Sequence, residues 1–226
     1  MATIFNDVYW RQAWVNNDIS FHRSEVNPSL VKYIAELTAG LEKCQIFVPL
    51  CGKSKDMKWL ADQGHTVVGA ELSTYAIEAF FKDNKLDFTT SRVQGLRDAD
   101  LYKSKDGCIN IYKSNIFDLN KDTIGEFDCI WDRASLVALL REDIHRYADL
   151  MRSILKPMGR CLLETVEYDQ SKMHGHPFST PFKTVEQLYA SGWDIKSLEV
   201  LDLTNDLWRK EGVDAVSGTI ALLTKK

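Results

Sequence analysis

Gln45-Ile-Phe-Val-Pro-Leu-Cys-Gly-Lys-Ser54, followed after one helix-length interval by Thr66-Val-Val-Gly-Ala-Glu71, decides the fold of this 226-residue chain. The first stretch is a short apolar run that ends in Cys51-Gly52, which predicts a strand and then a turn. Ser54 is placed to cap a helix over 54–63, with Met57, Leu60 and Ala61 at helical spacing and Gly64 as its stop. Residues 66–70 predict a second strand closed by Glu71. A second helix begins at Ser73, with Ala76, Ile77, Phe80 and Phe81 on one face. Strands alternating with helices imply right-handed βαβ units and a mostly parallel sheet covered on both faces.

Working outward, further strands are predicted at 108–113, 127–131, 160–166, 195–203 and 216–224. Glu142 to Leu155 predicts a helix that Lys156-Pro-Met-Gly159 ends, and 185–188 a short one. Asp87 to Gly107 is polar and reads as an irregular surface excursion. The expected fold is α/β, a doubly wound, mostly parallel seven-stranded sheet flanked by helices with an antiparallel final strand. A single domain is expected over 1–226, with 1–30 as an N-terminal lid. Such sheets bind ligands in the crevice beyond the C-terminal ends of their strands.

Composition narrows the class. Hydrophobic residues are 45% and charged residues 27% of the chain, the balance of a globular protein, and the net charge of -4 gives no broad pull toward nucleic acid or an anionic membrane. No apolar run approaches the roughly 20 residues of a membrane-spanning helix. Asn6, Asp7, Arg11 and Gln12 stand where a signal peptide would be apolar, so a cytoplasmic location is expected. Cys44, Cys51, Cys108, Cys129 and Cys161 are scattered, without a CxxC pair, which suits inert thiols better than a disulfide framework or a metal site. Cys51 alone lies in a loop of interest.

The loops carry the chemistry. Gly52-Lys53-Ser54 looks like the end of a phosphate-binding loop, but Phe47 stands where that motif needs its first glycine. GxGxxG is also absent, so neither a triphosphate nor a dinucleotide is well served. What remains is one glycine, Gly52, permitting close approach to a ligand. Glu71 can accept hydrogen bonds from two ribose hydroxyls, or it can simply cap the next helix through the dipole. Asn115 and Ile116 can hold a purine, or form a plain turn. Arg133 can hold an anion, or pair structurally with Asp132. Trp10 and Trp14 share a helix face and, with Phe21 and His22, form either a core staple or an aromatic lid over a cationic ligand. A single glycine, a ribose-binding acid and an aromatic lid together describe S-adenosylmethionine.

The sequence resembles the thiopurine S-methyltransferase family along nearly its whole length. The matching stretches are Trp10-x-x-x-Trp14-Val-Asn16 with Phe21-His22, Val48-Pro-Leu-Cys-Gly-Lys-Ser54 with Asp56-Met-Lys-Trp-Leu60, and Gly64-His-x-Val-Val-Gly-x-Glu71-Leu-Ser73. Ile116-Phe-Asp-Leu119, Phe127-Asp-x-Ile-Trp-Asp-Arg133, Glu167-Tyr-Asp169 and Pro177-Phe178 continue it. The resemblance implies a class I methyltransferase with a Rossmann-like fold. It also implies a cofactor pocket lined by Trp10, Trp14, Phe21, Leu50, Glu71, Ile116 and Arg133. Phe21 and Arg133 then also face the substrate, and His22, Pro177 and Phe178 are candidates for the same side. Animal members carry a second substrate-side arginine; Leu207 stands nearest that position here, with Arg209 two residues on.

The expected activity is methyl transfer from S-adenosyl-L-methionine, released as S-adenosyl-L-homocysteine, to the sulfur of a small aromatic or heterocyclic thiol. Thiopurine-type detoxification of foreign compounds is the expected role. Arg133 is the candidate catalytic residue. Neither a metal nor a Ser-His-Asp array is needed, because the methyl is already activated and the protein supplies proximity and orientation. A methyltransferase for halide, selenium or tellurium species, and a non-catalytic binding module of the same fold, are the alternatives. A monomer acting on a small molecule is expected, with neither nucleic acid nor membrane as partner.

Overall fold

The computed structural model describes residues 7–226; residues 1–6, the first part of the expected lid, lie outside the described residues. The chain opens with helix α1 (Asp7–Val15) and helix α2 (Pro28–Thr38). Strand β1 (Gln45–Val48), α3 (Lys55–Asp62), β2 (Thr66–Glu71) and α4 (Thr74–Asp83) follow. Ser54 caps α3 by accepting the Asp56 N–H, and Ser73 caps α4 by accepting that of Ala76. Next come β3 (Phe88–Arg92), β4 (Asp100–Ser104), β5 (Ile109–Lys113), a 3-10 turn (Ile116–Asp118) and α5 (Lys121–Ile124). The chain closes with β6 (Phe127–Arg133), α6 (Ile144–Ile154), β7 (Leu155–Glu167), α7 (Phe182–Leu188), β8 (Trp193–Asp202), α8 (Asp206–Lys210) and β9 (Ser217–Lys225).

The strands form one sheet in the order β3-β4-β5-β2-β1-β6-β7-β9-β8. β1 lies at its middle, parallel to β2 on one side (Ile46↔Val67) and to β6 on the other (Ile46↔Cys129). β9 runs antiparallel between β7 and β8, as expected for the last strand. Strand order reverses around β1, so the ligand crevice of a doubly wound sheet falls beyond Val48, Glu71, Lys113 and Arg133.

Alternation along the central strands fills two cores. Ile46, Val48, Val67 and Trp131 pack with Leu30, Leu37, Met57 and Phe80 on one face. Phe47, Val68, Ile130 and Leu163 pack with Tyr147, Met151 and Ile154 on the other. Strands buried on both faces read as continuous apolar runs, which is why β1, β2 and β6 are visible in the sequence.

Residues 87–107 depart from expectation. Instead of an irregular excursion they form a hairpin, β3 and β4, which extends the sheet to nine strands. β3 lies at the edge with four of its five residues exposed, so it carries no apolar run to betray it. β7 also starts earlier than predicted, at Leu155, pairing there with Phe127. Lys156-Pro-Met-Gly159 does end α6, with Met158 at φ 62, but the chain passes directly into the strand.

Gly69, in β2, leaves room for the loop after β1. A Cβ there would lie 2.6 Å from Cys51 Sγ and 3.1 Å from Met57 Sδ. Gly69→Ala should therefore lower stability by about 1–3 kcal/mol through overpacking, read as a lower urea midpoint with unchanged slope.

Candidate functional site at the C-terminal edge of the sheet

The loops after β1 and β6 are bent by backbone that few side chains adopt. Leu50 has φ 43, Gly52 φ 50 and Ala134 φ 62. Left-handed conformation at a non-glycine residue costs about 1 kcal/mol or more and persists where surrounding bonds hold it. Two such bonds are present: the Cys51 N–H donates to the Ala70 carbonyl (2.9 Å), and the Ser135 hydroxyl to the Pro49 carbonyl (2.8 Å). Cys51 is buried beneath this loop at 5% exposure, and burial pushes its thiol well above the usual range, with Glu71 adding to the shift.

Glu71 ends β2 with its carboxylate buried. One oxygen accepts the Gly52 N–H (2.9 Å) and the other the Ser73 N–H (2.7 Å). Burial raises its pKa, and the amides of Ser73, Gly52 and Leu72 oppose the rise. Each carboxylate oxygen takes two hydrogen bonds, so one acceptor position per oxygen is left for a ligand. The helix-cap and ligand readings of this acid therefore coexist in one geometry.

α1 lies over the loop. The Trp14 indole is buried and presses on Gly52, where a Cβ would stand 2.6 Å from the ring. Phe21 meets Trp10 edge-on at 5.7 Å and Trp14 at 5.5 Å, and His22 lies 6.2 Å from Trp14. Burial first, then Lys53, Arg133 and Lys55, hold the His22 imidazole below its ordinary pKa, so it is neutral at pH 7. Trp10 also packs on His176 at 4.4 Å, and the Tyr9 hydroxyl is 2.7 Å from that ring's Nε2. His176 precedes Pro177 through a cis peptide bond. Pro177 accepts a bond from the Tyr168 hydroxyl, and the Phe178 N–H donates to Val137. The segment with Pro177 and Phe178 is thus joined to the aromatic cluster through His176.

Asp132 and Arg133 do not pair. They are neighbours on a strand and point to opposite faces, as strand geometry requires. Arg133 donates from Nη1 to the Phe21 carbonyl (2.8 Å) and lies across from Glu164, whose Oε1 is 3.7 Å from Nε. Glu164 is a charge within the apolar run of β7, the one signal by which the sequence could have revealed it. Asp132 is fully buried: the Tyr147 hydroxyl donates to Oδ2 (2.7 Å), and Oδ1 has no hydrogen bond among the described residues.

Beyond Glu71, a cavity of about 470 Å³ opens between Arg11, Leu72, Ser114, Asn115 and the β3–β4 turn at Leu96 and Arg97. Asn115 accepts the Phe117 N–H and donates to Asp7 (3.1 Å), which ties this loop to α1. Ile116 is buried in the core, not open to the cavity. Leu207 is 65% exposed on α8, and Arg209 pairs with Asp206 (3.1 Å). Among the described residues there is no His/Cys/Asp/Glu group fit to hold a metal ion.

These residues suit S-adenosylmethionine. The spare acceptors of Glu71 match a ribose diol and the neighbouring cavity holds polar and apolar walls, while the close approach that Gly52 was expected to give a ligand is taken by the Trp14 indole. Fold and site together define a Rossmann-like methyltransferase. Among solved structures, the N-methyltransferase NodS from Bradyrhizobium japonicum WM9, in complex with S-adenosyl-l-homocysteine, superposes with a TM-score of 0.65. That match covers 95% of this chain and 97% of that one at 12% identity. The 1,6-didemethyltoxoflavin-N1-methyltransferase of Burkholderia thailandensis gives 0.63 over 97% and 87%, at 14% identity. At the sequence level the thiopurine S-methyltransferase (TPMT) family profile matches residues 5–226. The thiopurine S-methyltransferases of Bos taurus and Mus musculus are each 37% identical over 217 residues, 96% of this chain and 89% and 90% of theirs. The chain belongs to the thiopurine S-methyltransferase family, whose members use S-adenosylmethionine as methyl donor.

Asp132 predicts a pH signature of stability. Burial lifts its carboxyl from the ordinary 3.8 to about 6, with the Tyr147 hydroxyl pulling the other way. The folded state holds the proton more tightly than the unfolded chain does. Its contribution is therefore full below about pH 4 and lost as pH rises through 6. Stability measured by urea or thermal unfolding across this window should fall by roughly 3 kcal/mol in the wild type, and Asp132→Asn should remove that slope.

Proposed function

We propose that this protein transfers the methyl group of S-adenosylmethionine to the sulfur of a small aromatic or heterocyclic thiol, with foreign thiols as its substrates. The observation that carries the acceptor side is Arg133, a buried-stem guanidinium fixed at the C-terminal end of β6 beneath Phe21. A guanidinium stays charged at any working pH, so it favours a thiolate over the neutral thiol. The 37% identity to named thiopurine S-methyltransferases supports sulfur as the acceptor atom. Leu207 at the solvent and Arg209 engaged by Asp206 leave recognition to Arg133 alone among these arginine positions, which suits aromatic thiols as a class with thiopurines as one case.

In this reading Glu71 holds the ribose, with Leu50 beside the cofactor and Asn115 on the adenine side, while Ile116 supports that loop from the core and Gly52 supports the rim beneath Trp14. Trp10, Trp14 and Phe21 roof the site, and their ring faces suit a sulfonium. His22, Pro177 and Phe178 border the acceptor. S-adenosylmethionine supplies an electrophilic methyl on a good leaving group; the chain's residues hold the sulfur in line with it and exclude water. Arg133 keeps the acceptor sulfur deprotonated, and its proton is lost to solvent before the sulfur–methyl bond forms. The protein acts as one domain and one monomer. Its five free thiols support a cytoplasmic location.

A panel of aromatic thiols, selenols and halides with labelled S-adenosylmethionine tests this reading. Preferred methylation of acidic aromatic thiols is the expected result, and preference for iodide or selenide would overturn it. Glu71→Ala should weaken S-adenosylmethionine binding more than tenfold, about 1.5–3 kcal/mol, by calorimetry. Cys51→Ser should keep kcat within about tenfold, since a buried protonated thiol is a poor nucleophile; an S-methylated Cys51 found by mass spectrometry would contradict that.

A further inference from the structure

The segment between the two N-terminal helices, residues 16–27, is clipped to the C-terminal edge of the sheet at its middle and at its end. At the middle the Phe21 carbonyl accepts from Arg133 Nη1 (2.8 Å). At its C-terminal end, Asn27 Nδ2 donates to Glu164 Oε2 (2.8 Å), while the Asn27 N–H donates to Asp56 Oδ1 (2.8 Å). Asp56 is itself fixed by the Trp131 indole N–H on Oδ2 (2.8 Å). Arg133 and Glu164 are register partners across β6 and β7, so one cross-strand ion pair holds this segment at both Phe21 and Asn27.

We propose that Glu164 is the positioning residue of the acceptor site, setting both the aim and the effective charge of Arg133. The inference rests on Arg133 facing the acceptor. Glu164 is a built element: its side chain is 13% exposed, one oxygen is committed to Asn27, and the other faces the Nε edge of the guanidinium. With Nε turned to Glu164 and Nη1 to Phe21, Nη2 is the edge without a partner among the described residues. The fork is therefore locked in orientation, which a lone arginine on a flexible stem would not be. Charge follows from the same contact. Burial above all, and then Arg23, oppose the guanidinium's charge, while Glu164 and Asp56 support it. His22, also beside it, is neutral, and Asp132 points to the opposite face. Glu164 thus damps the positive potential that the acceptor sulfur meets, tuning the site to thiols that already ionise near neutral pH.

Glu164→Gln keeps the shape of the side chain and removes its charge. The acidic limb of the kcat–pH profile, which reports groups in the bound complex, should move to lower pH by about half a unit with an acidic aromatic thiol. Arg133→Ala should move it the other way. Glu164→Asp, which keeps the charge, should leave the limb near the wild-type position. In the ligand-free protein, amides of residues 19–27 should exchange about tenfold faster in Glu164→Gln, since the clip loses its charge-assisted bonds. A limb that stays put, or moves upward, with exchange unchanged would overturn the proposal. A fall in melting temperature with an unmoved limb would make Glu164 merely structural and overturn it equally. Failure of the wild type to methylate any thiol would refute the acceptor reading itself, and this inference with it.

Discussion

The buried carboxylate of Glu71 is the contact around which the site is organised. It stands at the end of β2 and accepts one N–H from the loop after β1 and another from the cap of α4. Taking a carboxylate out of water is costly unless hydrogen bonds replace its hydration. The two amides do so while leaving acceptor positions open. The bond to Gly52 also draws the β1 loop against β2, and the same loop is tied across to β6 through Ser135 and Pro49. Three strand ends are thereby held as one rigid rim.

Rigidity at that rim is matched by strain. Leu50 and Ala134 occupy left-handed backbone at the ends of β1 and β6, and Gly52 does so without a side chain to resist it. Packing beneath the rim makes these conformations tolerable. Cys51 fills the space that the missing Cβ of Gly69 leaves, and the Trp14 indole occupies the space above Gly52. The loop is thus clamped between a sulfur below and a ring above. A ligand meets backbone whose shape is already set, so less ordering remains to be done on binding.

The N-terminal segment is joined to this rim by polar contacts where the body of the protein is joined by apolar ones. Asn115 reaches Asp7, Arg133 reaches the Phe21 carbonyl, and Glu164 reaches Asn27. Aromatic edges among Trp10, Trp14, Phe21 and His176 complete the roof. Such contacts are individually worth about 1 kcal/mol.

The sequence by itself determined the parallel centre of the sheet and the location of the crevice. β1, β2 and β6 are buried on both faces and so are written as continuous apolar runs, and Ser54 and Ser73 announce the helices between them. Glu71, Gly52, Trp14 and Arg133 were legible because each punctuates such a run or repeats on a helix face. The β3–β4 hairpin was not, since an exposed edge strand carries no apolar period. Nor was the separation of Asp132 from Arg133, because the predicted strand stopped at Trp131 and the period-2 alternation that parts them applies only once β6 runs on to Arg133. Only tertiary structure decided that Arg133 would answer to Glu164, 31 residues later in the numbering but its register partner in space. Pairing across a parallel sheet is set by the packing of whole βαβ units, and local sequence carries no record of it.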